Sequence, residues 1–224
     1  WASSKTTSEN LSSLGFVPFG YNYPDNVTVF LKAGTKMPSK DQAMQAIADT
    51  YNQTQNMTQT VESVLEFVHR QGYDRDKTRL LMSGTLNTTN IIDFFKDANQ
   101  TLVTNSSMCL ERSWCAETIL RAAGVPTRTV TDFRLKTWIQ VWLPNIGWVD
   151  AETLCVEPPP YVGVLPKSVS THVPWMVENS SDASFPFVWL PRVSMRIANL
   201  TFSEVQTFDV RQFGAVVSEP VNAA

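Results

Sequence analysis

The run from Cys109 to Arg128 constrains this chain more than any other part of it. A cysteine follows the polar stretch Thr104-Asn105-Ser106-Ser107. Helix-forming residues continue to Ala123, and the helix must stop at Gly124-Val125-Pro126. Glycine supplies the left-handed residue that closes a helix, and proline prevents its continuation. Val125 to Val130 reads as a strand. Trp138 to Leu143 alternates Trp138, Gln140 and Trp142 against Ile139, Val141 and Leu143, as expected of a strand covered on both faces or carrying an aromatic patch on one. Pro144 to Gly147 is a turn, and Trp148 to Ala151 returns as the hairpin partner. A cysteine at a helix N-terminus sits among free N–H groups and the positive end of the dipole, which favour a thiolate. Such a nucleophile still needs a base, supplied by later elements of the chain.

This arrangement resembles the transglutaminase-like superfamily. That family joins a Gly-x-Cys helix start to Leu-Arg-x-x-Gly-Ile-Pro-x-Arg, then to His-x-Trp-x-Glu-Val and a Gly-Trp-Val followed by an acid. Here Cys109 precedes Gly124 by fifteen residues. Arg121, Pro126, Arg128, Trp138, Val141, Gly147, Trp148 and Glu152 fall in the matching places. The resemblance covers roughly residues 60 to 155. It implies an α+β fold of papain/transglutaminase-like type, a Cys-bearing helix packed on an antiparallel sheet, with Cys109 as nucleophile. Glu152 takes the acid position, and Asp150 is the near alternative. Three positions depart from the pattern. Ser107 replaces the glycine, Gln140 replaces the glutamate, and Lys136 stands in the histidine position. An imidazole exchanges protons near neutral pH, whereas a lysine holds its proton and only donates. The expectation is therefore a catalytically silent domain in which Lys136 faces Cys109. The alternative is a thiol peptidase or protein-glutamine transamidase using Cys109, with a buried Lys136 or a folded-back His172 as base.

Nine Asn-x-Ser/Thr triplets occur, at Asn10, Asn26, Asn52, Asn56, Asn87, Asn99, Asn105, Asn179 and Asn199, none with a central proline. They use nine of only 13 asparagines, well above chance, and point to a secreted or cell-surface protein carrying covalent N-glycans. The three cysteines leave at least one unpaired. Cys115 with Cys155 is one possible disulfide, and Cys109 with Cys155 another. His69 and His172 are the only histidines, and no Cys/His spacing suggests a metal site or a cofactor. With 18 basic and 21 acidic residues and no basic cluster, nucleic acid is not an expected partner. No apolar stretch is long enough to span a membrane. A structural or interaction role follows, through protein partners or self-assembly in a surface layer, filament or larger secreted assembly. The aromatic residues allow a second alternative, a carbohydrate-binding module.

Three regions are expected: an extended or strand-forming lead over 1–37, a core over 38–157, and a β-rich extension over 158–224 beyond Pro158-Pro159-Pro160. Within them, Asn26 to Leu31 reads as a strand. Ser39 and Gln42 form a capping box before a helix over about 40–53. A second helix runs over about 58–70, and a short third from Asn90 to Lys96. Candidate strands in the extension are Phe187–Leu190, Ser194–Ile197 and Thr207–Val210. His69 is expected at a helix surface or core edge. Arg112 and Arg121 are expected to be solvated or salt-bridged.

Overall fold

The computed structural model describes residues 15–82, 91–132, 137–153 and 174–177. Its elements form two compact units. The first comprises residues 1–74 and 96–183, the second residues 75–95 and 184–224.

In the first unit, α1 (Asp25–Thr28) runs into a 3-10 turn (Val29–Leu31). This replaces the strand expected over 26–31. Proline at the N-cap and Asp25 in the first turn favour a helix start, and Val27 and Phe30 are buried at a spacing of three. Next come α2 (Gln42–Tyr51) and α3 (Met57–His69), as expected. The cap of α2 differs from the expected Ser39 box: the Asp41 side chain accepts from Ala43 N–H at 2.9 Å. Ser39 instead offers its carbonyl to the Gln45 amide. Strand β1 (Gly72–Tyr73) pairs in parallel with β2 (Ser106–Ser107). The second unit holds α4 (Arg75–Met82) and a 3-10 turn (Ile91–Phe94), where Lys77 lies 4.7 Å from the Phe94 ring centroid. Back in the first unit, α5 (Ala98–Thr104) starts with a reciprocal capping box between Asp97 and Gln100.

Helix α6 (Cys109–Ala122) is the centre of the first unit. Every residue from Leu110 to Arg121 is buried. One side packs on α2 and α3 through Met44, Ala48, Val61, Val64 and Leu65. The other side packs on the sheet through Ile139, Val141 and Leu143. The helix stops as the sequence requires. Gly124 is left-handed at φ 88°, its N–H meets Arg121 O at 3.1 Å, and Val125 N–H meets Leu120 O at 2.9 Å. That pair of bonds is a Schellman closure. Tyr23 then hydrogen-bonds the Gly124 carbonyl, and burial pushes the Tyr23 pKa up to about 12.

The sheet is antiparallel, ordered β5-β4-β3-β6, with β3 (Thr127–Asp132), β4 (Thr137–Leu143), β5 (Gly147–Ala151) and β6 (Pro174–Val177). The expected hairpin is present in register, Trp142 opposite Trp148 and Gln140 opposite Asp150. Strand β6 comes from beyond residue 157 and joins the same sheet. The other candidate strands of the extension, and Pro158–Pro160, lie outside the described residues.

Candidate functional site

The head of α6 is assembled by two buried charged side chains. Glu111 accepts the Met108 N–H at 2.9 Å and the Lys96 N–H at 2.8 Å. Its carboxylate thus satisfies an orphan donor at the helix start and ties residue 96 to it. Arg112 donates to Ser107 Oγ at 3.0 Å, to Gln71 O at 2.7 Å and to Gly72 O at 3.1 Å. It pins α6 to the β1–β2 pair. A Cβ at Gly72 would come within 3.2 Å of Asn105 O, a tight approach to backbone. Arg112 is therefore not solvated, as expected from sequence, but a buried tie. Arg121 is salt-bridged as expected: it pairs with Glu117 one turn back and donates to Thr127 O and Lys32 O. Thr129 hydroxyl also donates to Glu117.

Cys109 is partly exposed at the first position of α6. Burial pushes its pKa up, and the Glu152 charge adds to the rise. Hydrogen bonds from the Thr137 hydroxyl, the Thr137 N–H and the Leu110 N–H oppose this without reversing it. Helix-start donors are present, yet desolvation wins. Thr137 is the first residue of β4, so the start of that strand closes over the sulfur. Lys136 precedes it and lies outside the described residues, as does His172.

Glu152 is buried, and its charge acts on Cys109. Asp150 is turned elsewhere. Ile139 and Ala151 are opposite each other and face α6, so Gln140 and Asp150 face away from it. Asp150 accepts from Trp138 Nε1 at 2.8 Å and Gln140 Nε2 at 2.9 Å, and Arg128 donates to Gln140 Oε1 at 2.9 Å. Arg128 also stacks on Trp148 at 4.0 Å, beside Phe30 and Trp142. The alternative acid thus serves the outer face of the sheet, and Gln140, where the family pattern has glutamate, is part of that network.

His69 ends α3 and reaches the site from the back. Its Nε2 lies 3.1 Å from the Glu152 carbonyl. Burial lowers its pKa and the Arg112 charge lowers it further, while the carbonyl contact acts the other way. Beside it, the Ser113 and Thr153 hydroxyls meet at 2.7 Å. Cys115 is buried against Gln71 Nε2 at 3.6 Å, and burial pushes its pKa up to about 12. Cys155, the disulfide partner that the cysteine count allows for Cys115 or Cys109, lies outside the described residues.

Of the sequons, Asn26 and Asn105 are exposed, and Asn52 and Asn99 are partly so. Asn56 is buried: its Oδ1 caps α3 and receives Val17 N–H, Thr58 N–H and the Thr58 hydroxyl. Asn10, Asn87, Asn179 and Asn199 lie outside the described residues. Trp114 and Trp138 belong to the interior. Sequence reasoning missed Glu111, although Met108-x-x-Glu111 has the spacing of a reciprocal cap, and Thr137, which carried no signal beyond its place before Trp138. It also missed the contact of His69 with Glu152, which joins residues 83 apart.

Residues 85–153 match the family model described as the transglutaminase-like superfamily. No curated protein matches this chain. Among solved structures, a candidate cysteine protease from Cytophaga hutchinsonii aligns at 14% identity and TM-score 0.49, over 71% of this chain and 49% of its own. The periplasmic domain of TgpA from Pseudomonas aeruginosa aligns at 18% identity and TM-score 0.43, over 59% of this chain and 48% of its own. This chain spans about half the length of either. The match to the transglutaminase-like superfamily thus covers residues 85–153, which hold α6 and the hairpin of an α+β fold.

Proposed function

We propose that this chain is an extracellular, N-glycosylated transglutaminase-like domain that is catalytically silent and serves a structural or interaction role at the cell surface. The observation that carries the reading is the state of Cys109. Burial and the Glu152 charge push its thiol pKa up, and the strand that closes over it follows a lysine rather than a histidine. A working thiol enzyme needs the reverse: a thiolate or a base beside it. Glycosylation is supported by the sequon excess and by the exposure of Asn26 and Asn105.

Alkylation tests the reading. Iodoacetamide should modify Cys109 slowly at pH 7, and the rate should keep climbing above the ordinary thiol range, about pH 8.5. Fast, pH-independent modification between pH 6 and 8 would mark an activated thiolate and favour the peptidase or transamidase alternative.

A further inference from the structure

Just past β5, which ends at Ala151, the chain is tied down at two consecutive buried residues. At Thr153 the hydroxyl meets the Ser113 hydroxyl at 2.7 Å. Ser113 lies one turn after Cys109 on α6, on the same side of the helix. At Glu152 the backbone carbonyl meets His69 Nε2 at 3.1 Å, from the last residue of α3. A carbonyl only accepts, so the ring carries a proton on Nε2. Burial and the Arg112 charge disfavour a second proton on Nδ1. That nitrogen is buried and has no hydrogen-bond partner among the described residues. The tie to Glu152 is thus the polar anchor of this imidazole.

The bond fixes the main chain at residue 152, and the main chain fixes where the carboxylate starts. Several groups act on the Cys109 sulfur. The Thr137 hydroxyl and N–H from β4 and the Leu110 N–H from α6 are neutral donors, and Glu152 is the charged member of the set. A carboxylate disfavours a neighbouring thiolate only while it stays close, because the Coulomb energy falls with distance. Freed from His69, the end of β5 would keep only the hydroxyl pair at Thr153, and the carboxylate could swing toward water. We infer that His69 is a positioning residue: by clamping the Glu152 carbonyl it holds that carboxylate toward Cys109 and so keeps the thiol silent. The inference rests on the silent reading above and names the residue that maintains it.

The test is the pH profile of Cys109 alkylation by iodoacetamide, read by peptide mass spectrometry so that buried Cys115 is counted separately. A thiol reacts in proportion to its thiolate fraction, so losing the nearby charge shows as faster modification at pH 7 and a profile displaced to lower pH. Glu152→Gln should speed the reaction at pH 7 by roughly threefold or more. His69→Phe should act in the same direction, with His69→Leu in its place if the larger ring does not fit. His69→Gln, whose amide N–H can still donate to the carbonyl, should return toward wild type. Glu152→Gln combined with His69→Phe should match Glu152→Gln alone, because the histidine acts through that charge. A histidine that merely packs would lower the melting temperature and leave the profile in place, and that result overturns the proposal. So does a His69→Gln variant that behaves like His69→Phe, or a double variant whose effects add. An unmoved profile on a slow wild type overturns this inference and leaves the silent reading standing. Fast, pH-independent modification of the wild type overturns both.

Discussion

Replacing Glu111 with alanine should loosen the one joint on which the whole site depends. The buried carboxylate accepts two backbone N–H groups, from buried Met108 at 2.9 Å and from half-buried Lys96 at 2.8 Å. Each buried donor left without a partner costs roughly 1–3 kcal/mol. Two of them give about 2–6 kcal/mol, and water entering the vacated space recovers part, so a loss of about 3 kcal/mol is expected. Glu111→Gln keeps one acceptor oxygen but turns an amide N–H₂ toward a donor, so it should lose about half as much. Urea unfolding followed by tryptophan fluorescence reads the difference as a shift in midpoint at constant slope. The alanine variant should also make Cys109 more accessible to thiol reagents, because the first turn of α6 is no longer held. A loss under about 1 kcal/mol with unchanged thiol reactivity would refute the reasoning, because it would mean that these bonds do not hold the helix head.

Three further outcomes are expected. Arg121→Met should cost about 3–5 kcal/mol in the same unfolding assay, because it leaves Glu117 charged and buried, whereas Glu117→Leu with Arg121→Met should cost less than the single change. His69 has a folded-state pKa below its unfolded value, so the protein should be most stable above about pH 6.5 and lose stability as pH falls through that range. His69→Phe should flatten that acid-side slope, and an unchanged slope between pH 7 and 5 would assign it to other groups. Peptide mapping of protein from its native source should find glycans at Asn26 and Asn105 but none at Asn56, whose side chain is the cap of α3; an occupied Asn56 would show that the cap is dispensable.

The central helix and its hairpin were legible because each signal was local. Gly124-Val125-Pro126 can end a helix in few ways, and alternation from Trp138 to Leu143 fixes which face meets α6. The segment after Pro24 misled because Val27, Val29 and Phe30 are β-formers, yet burial of Val27 and Phe30 three residues apart outweighs a weak propensity. Arg112 misled because a charged residue on a helix is usually solvated. Its partners are carbonyls at Gln71 and Gly72 and a hydroxyl at Ser107, and no sequence spacing announces that convergence. Asp150 and Glu152 could not be separated by pattern alone, since either follows Trp148 closely. The pairing of Gln140 with Asp150 separates them, because it turns Asp150 to the outer face.

The most direct test of the account is turnover by the unmodified protein against Cys109→Ala, with glutamine-donor and peptide substrates and mass spectrometry for an acyl-enzyme on Cys109. The account predicts no acyl-enzyme and identical background rates for the two proteins. Cys109-dependent turnover would contradict it and make this domain an enzyme.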